Sequence, residues 1–501
     1  MNLLAAAFPP ARKFGKTTLH ALCACVTAAS LWLPAVSAHA ADPVPVATTK
    51  AAAALDWQEE YAYIMGMQAY IYGFPAIMYA NLRYQWIESG QGPVQMAVNE
   101  YWHSRTPSDP KLQYGGSPNR ETPYSMAFID VSKEPVVLTV PKNPENRYYT
   151  LQLIDFYSDT VGYIGQRATK NVAGDYLLAG PGWKGQAPKG IKGVYRSWTP
   201  WVMIAGRTYS DGSEADLAKM RQFQDGYEIT PLAHYGKPGA SAGKQRDVLN
   251  VAPKTDPLGA FKTMNAAMKE NPPPPRDEAL MKQFALVGLG PMAMGDIDAL
   301  DPATKRGLQR AIVDGNALLG RVAKAGGSIT GATKVRNNWF YGASNWGRMA
   351  ADGDFLGRAG TQAFSGVTEH LIEESVKLRT FVDADGAPLN GDNRYVIRFS
   401  KEEIPVAKSF WSVTLYDDAF NLVYNDAGRY SFGDKVPGLI YGPDGSLEIY
   451  IQPDKPEGDK AANWLPSAKG KNFNLFLRTY FPGPTLLDQS YIAPPVRKVN
   501  N

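Results

Sequence analysis

The sequence predicts a mainly β protein interrupted by a helical insert, and three observations carry that reading. Short segments of alternating apolar residues recur between Tyr101 and Tyr209 and recur again through the last third of the chain. Between them lies a stretch with repeated helix-start signals. At 501 residues the chain is longer than one typical domain, so these regions are expected to build more than one core.

The first 40 residues read as a signal peptide. Arg12, Lys13 and Lys16 form a basic start, an apolar run follows from Leu19 to Val36, and Ala38-His39-Ala40 supplies the small residues of a cleavage site. A membrane anchor is the competing reading, but the run is short for a bilayer and is interrupted by Pro34. The expected location is therefore periplasmic or secreted, with no stable membrane insertion. Cys23 and Cys25 both fall in the leader, so the mature chain is expected to hold no disulfide and no thiolate metal site. Residues 41–55 are low in complexity and read as a flexible leader.

Residues 56–99 read as an N-terminal helical segment. Asp56-Trp57-Gln58-Glu59 has the pattern of a capping box, and Gly73-Phe74-Pro75 is expected to break or kink the helix before a second piece runs to about Trp86. Residues 100–210 read as a first β-sandwich. Val136, Leu138 and Val140 alternate between two prolines, and Tyr149, Leu151 and Leu153 alternate against polar neighbours. Residues 211–335 read as a helical subdomain. Ser213 is a cap, and Asp256-Pro257 and Asp301-Pro302 each place a cap before a residue that lacks an amide hydrogen. Residues 336–501 return to strands such as RYVIRFS, SLEIYIQ and NLFLRTY. Two strands echo each other, Arg147 to Asp155 and Ser409 to Asp417: each is an aromatic pair, then aliphatics, then an Asp.

Several function classes are set aside. Losing the three basic residues of the leader takes the formal charge from +4 to about +1, with no basic block to hold nucleic acid. His103, His234 and His370 show no chelating spacing, so no metal is expected. Asp383-Ala384-Asp385-Gly386 reads as a hairpin turn rather than a calcium loop. Neither Gly288-Leu289-Gly290-Pro291 nor Gly239 to Lys244 completes a phosphate loop, so no nucleotide cofactor is expected. No nucleophile elbow occurs.

The densest polar cluster is Ser117-Pro118-Asn119-Arg120-Glu121-Thr122-Pro123-Tyr124, a turn-rich loop that leads into a strand. Glu121 and Tyr124 are the candidate catalytic groups, and Asn119, Arg120 and Thr122 the candidate ligand contacts. The same side chains would also satisfy backbone groups at a domain junction. Arg147, Arg429, Tyr430, Asn463 and Trp464 form a second tier of ligand-binding candidates, for which interface packing is the competing account.

The chain resembles a bacterial exported family that pairs domain of unknown function 1254 with domain of unknown function 1214. YGFPAIMY, SPNRETPYS, KEPVVLTVP, RYYTLQLID, GPGWKG and ENPPPP carry the first resemblance; FWSVTLYD, GRYSFGD, DGSLEIYIQ, GDKAANWLP and NLFLRTYFP carry the second. The resemblance implies an immunoglobulin-like sandwich, a small helical domain and a jelly-roll-like sandwich, and no particular reaction. Glu121 stands where the family's loop has Asp, Pro123 where it has an aliphatic, and Gly428 where Asn precedes Arg-Tyr-Ser. The resulting expectation is an exported protein that binds, and as an enzyme would hydrolyse without metal, a small polar or sugar-like molecule in an interdomain cleft. The alternative is a non-catalytic, homo-oligomeric envelope or interaction protein.

Overall fold

The computed structural model describes residues 56–111, 116–237, 248–325 and 334–499; the expected signal peptide and the expected 41–55 leader lie outside them. The chain begins with α1 (Trp57–Arg83), a single helix of 27 residues that runs straight through Pro75. The expected break does not occur because packing outweighs the lost hydrogen bond. Gly73 faces the helical layer, where a Cβ would strike Met264, Pro75 is buried, and Arg358 donates to the Tyr72 carbonyl three residues before the proline. Asp56 caps the helix by accepting from the Gln58 amide, whereas Glu59 turns outward to Arg306 and Arg310 instead of closing a capping box.

Nine strands follow: β1 (Trp102–His103), β2 (Tyr124–Asp130), β3 (Val136–Val140), β4 (Tyr149–Asp155), β5 (Thr160–Gly165), β6 (Gly174–Ala179), β7 (Gly193–Arg196), β8 (Trp201–Thr208) and β9 (Glu228–Pro231). They form two sheets, in the orders β1-β2-β8-β4-β5 and β7-β6-β3-β9. The inner faces share one core, in which Ile129, Leu151, Leu153 and Ile204 meet Val136, Leu138 and Leu178. This is a sandwich. The outer face of the first sheet is buried too, since Phe128, Ile154 and Met203 join the core of the helical layer. That is why β4 is buried at every position.

The helix α2 (Glu214–Asp225) packs on the first sandwich through Phe223, and the helical layer comprises α1, α3 (Gly259–Glu270), α4 (Glu278–Ala285) and α5 (Pro302–Ala325). Ser213 and Asp301 cap as expected, whereas the helix after Asp256-Pro257 starts at Gly259 because Asp256 spends its carboxylate on the Leu258 amide and Lys262. The chain then adds α6 (Phe355–Ser365) and a second pair of sheets. One contains β10 (Val335–Arg336), β11 (Trp339–Tyr341), β12 (Ser375–Thr380), β14 (Ala407–Tyr416), β15 (Ser431–Gly433) and β18 (Asn474–Pro482), in the order β10-β11-β12-β18-β14-β15. The other contains β13 (Arg394–Phe399), β16 (Leu447–Gln452), β17 (Trp464–Pro466) and β19 (Arg497–Val499). Leu378, Val413 and Leu477 pack against Ile397, Ile449 and Val496 between them. The protein is thus mostly β, with open sheets and a central helical region.

The echoing strands end in matching turns. Asp155 accepts the amides of Tyr157 and Asp159, and Asp417 accepts those of Ala419 and Asn421. Asp383 does the same for Asp385 and Ala387, which makes its loop a hairpin turn. Among the described residues no helix is long and apolar enough to cross a membrane.

Candidate functional site

The register of two sheets builds a chamber between them. On β2 and β8, Tyr124 stands opposite Arg207 and Met126 opposite Ala205, while Trp102 of β1 stands opposite Met126. Side chains two apart share a face, so all five point the same way. On β12 and β18, Ser375 stands opposite Tyr480 and Lys377 opposite Arg478. These two faces, together with Trp86, Val94 and Val367 from the helical side, enclose a cavity of about 410 Å³.

The charged groups on its wall are unevenly matched. Arg478 is almost fully buried; its guanidinium donates to the Ser117 carbonyl at 2.8 Å and lies over the rings of Tyr416 and Phe476. Arg207 donates through Nε to His370 Nε2 at 2.8 Å and lies over the Tyr124 ring. Among the described residues neither forms an ion pair with a carboxylate, whereas Lys377 pairs with Glu369 at 2.7 Å. Lys377 and Arg478 are direct cross-strand neighbours of like charge, an arrangement that costs stability.

Burial tunes these groups further. It pushes the Lys377 ammonium down to about 8, against the pull of Glu369 and with the help of Arg478. Burial, and then the neighbouring cations Arg207 and Lys377, hold His370 well below its ordinary value, so its ring is neutral. Because Nε2 accepts from Arg207, the ring proton belongs on Nδ1, which lies 3.3 Å from the Tyr163 hydroxyl. His103 is lowered to about 4 by burial and by Arg105, and its Nδ1 lies 2.8 Å from Ser125 Oγ. The chamber therefore presents cations, phenols and neutral imidazoles, with Glu369 as its paired carboxylate.

The polar loop acts mostly through Asn119. Its Oδ1 accepts from the amides of Glu121 and Thr122 and from the Thr122 hydroxyl, at 2.7, 2.8 and 2.9 Å. Its backbone amide donates to Tyr124 Oη at 2.8 Å, and its Nδ2 donates to Tyr480 Oη at 2.6 Å. Both phenols line the chamber. Each oxygen already accepts a hydrogen bond, so each hydroxyl is oriented to donate its own proton.

The other sequence candidates separate into two groups. Arg120, Glu121, Arg429 and Tyr430 line a second groove of about 220 Å³ on the other side of the loop. There Arg120 lies over the Tyr430 ring, and Arg429 donates to the carbonyls of Ala462 and Trp464. Both carboxylate oxygens of Glu121 are buried and have no hydrogen-bond partner. Arg147, Asn463 and Trp464 face neither space. Arg147 grips Asp216, Glu145 and the Tyr209 carbonyl; Asn463 exchanges two hydrogen bonds with Ile440; Trp464 donates to the Gln452 carbonyl.

Sequence reasoning missed Arg207, Lys377, Arg478 and Tyr480. The signal for the two arginines was a cation set inside an otherwise apolar strand, as in WVMIAGRT and NLFLRTYFP. Among the described residues no three His, Cys, Asp or Glu side chains are grouped so as to hold a metal ion.

Fold and site together define a β-rich protein of two sandwiches joined by a helical region, with a cation-lined chamber between them. Residues 98–231 match the family model described as "Protein of unknown function (DUF1254)", and residues 374–484 match that described as "Protein of unknown function (DUF1214)". The chain thus carries both domains of unknown function, in the order the resemblance implied. No curated protein matches it. Among solved structures it is similar to the VPA0106 protein from Vibrio parahaemolyticus, with a TM-score of 0.67 and 22% identity over 88% of this chain and 100% of that one. An uncharacterized protein from Burkholderia cenocepacia gives a TM-score of 0.42 at 12% identity over 88% of this chain and 94% of that one. The first likeness is one of fold.

Proposed function

We propose that this protein is exported and binds a small organic anion in the chamber, with the acid group held between Arg207, Arg478 and Lys377. One observation carries the reading: among the described residues two cavity-lining guanidiniums, Arg207 and Arg478, have no carboxylate within ion-pair distance, the buried Glu121 acting on Arg478 only from farther off. Burying a charge without a counter-charge costs several kcal/mol. Arg83 and Arg147, which are also buried, are each given a carboxylate, Glu270 and Asp216. An anionic ligand would supply at Arg207 and Arg478 what those residues already possess. The oriented hydroxyls of Tyr124 and Tyr480 add donors suited to the same oxygens.

Hydrolysis gains less support, because the expected carboxylate, Glu121, has both oxygens shut off from solvent. Export rests on the basic start, the apolar run and Ala38-His39-Ala40, and predicts a mature protein that begins at Ala41. The binding reading is tested by thermal unfolding against carboxylates, sulfonates and phosphate esters, each matched to its neutral amide or alcohol. Acids should raise the melting temperature saturably while their neutral analogues do not. Equal shifts from acid and amide, or none from any acid, would overturn it.

A further inference from the structure

The sheet that presents Arg207 also fixes what lies beside the acid group. Along β2 and β8 the row Tyr124–Arg207 is followed, two residues on, by the row Trp102–Met126–Ala205, and then by Phe128–Met203 in the helical core. Each row stands about 7 Å from the next, twice the rise of one strand residue. The chamber therefore passes from guanidinium and phenol to indole, thioether and methyl within the length of a small molecule. Trp86 reinforces the apolar end: its ring lies 5.7 Å from that of Phe128, and Trp86, Trp102 and Met126 all line the same space. Val367, which packs on the same core, lines the cavity without adding a side-chain donor or acceptor.

We infer that the ligand is an amphipathic acid, an aromatic ring joined to its acid group by a short aliphatic spacer. The inference rests on the anion-binding reading and adds the body to the head. A ring suits this end because indole faces and a methionine sulfur favour aromatic partners beyond simple area burial. A bare anion such as acetate would fill the charged row and leave the apolar row uncovered. A purely apolar molecule would leave the guanidiniums unmatched. The chamber volume lies in the range that takes a ligand of modest size.

The test is a calorimetric titration of the purified protein with three probes: 3-phenylpropanoate, propanoate and 3-phenylpropanamide. The expected result is phenylpropanoate binding at least tenfold more tightly than either of the others. Met126→Gln, which keeps the side-chain length and removes its apolar character, should weaken phenylpropanoate at least fivefold and leave propanoate unchanged. Propanoate binding within twofold of phenylpropanoate would overturn the inference and leave the anion reading standing. Amide binding as tight as acid would overturn the anion reading itself. No binding by any of the three would overturn both. The wild-type comparison decides the matter even should the Met126 variant fail to fold.

Discussion

Two buried arginines offer a direct comparison between a guanidinium matched by carboxylates and one proposed to meet a ligand. Arg147→Met removes bonds to Asp216 at 2.7 and 2.9 Å, to Glu145 at 2.6 Å and to the Tyr209 carbonyl at 2.7 Å. It strands Asp216, which is partly exposed and can recover some hydration, while Glu145 keeps its ion pair with Lys219. The expected cost is about 2–3 kcal/mol, below the 3–5 kcal/mol typical of a fully buried pair. Arg478→Met removes one charge-assisted bond to the Ser117 carbonyl, worth about 1.5–3 kcal/mol, and a long contact to Thr414. It also removes a buried cation that lacks an ion-paired carboxylate and stands opposite Lys377, a relief that offsets most of that loss. The net change in stability should lie within about 1 kcal/mol of zero. Its effect on the proposed ligand should be large, since losing a charge-assisted contact lowers affinity by about 10- to 100-fold. Denaturant unfolding supplies the first quantity and calorimetry with 3-phenylpropanoate the second. Should Arg478→Met prove as destabilising as Arg147→Met, the guanidinium is a strut and the case for a ligand-matched charge fails.

Three further outcomes follow from the same geometry. The folded Lys377 titrates at about 8 against 10.5 for the free side chain, so between these values the native state releases its proton first and stability rises with pH. Anion affinity should fall over the same window, and Lys377→Arg, which stays charged, should abolish that fall in titrations between pH 7 and 9.5. Burial, and then its neighbour Asp159, raise Asp155 to about 7. Its contribution to stability is complete below the unfolded value near 4 and is lost as pH rises through about 7, so Asp155→Asn should flatten the decline measured by urea unfolding between pH 5 and 8. Asn119→Asp keeps the three accepted hydrogen bonds but turns the donor to Tyr480 into an acceptor beside the cations. Stability should change by about 1 kcal/mol or less while affinity for an acid drops about tenfold, and a variant that binds normally would separate this loop from the chamber.

The large-scale order was legible because it rests on periodicity. The alternation at Val136, Leu138 and Val140 reports a strand with its core-facing side, and Asp301-Pro302 reports a helix start through local chemistry alone. The continuity of α1 was not legible. Whether Pro75 ends a helix depends on what packs against it, and Arg358 and Met264 come from nearly 200 residues or more away. The polar loop drew attention because its residues adjoin one another. Asn119 and Tyr124 do reach the chamber, yet Arg120 and Glu121, next to them in sequence, face the other way. The cations of the chamber were hidden for the converse reason. Arg207, Lys377 and Arg478 sit singly in three distant strands, and only register across two sheets makes them neighbours. Asn463 and Arg147 show the limit of composition as a guide, since an amide or a guanidinium reads alike whether it greets a ligand or ties a loop.

The positive wall is divided along a seam. Arg207 belongs to the first sandwich, Lys377 and Arg478 to the second, and the halves are stitched nearby by Asn119 to Tyr480 and by Tyr148 to Glu374. Like charges on facing banks repel across such a seam, and the proposed anion, held from both sides, would turn the same charges into a clasp. The proposed site is thereby shared, and neither sandwich alone carries all three cations that would meet the acid group.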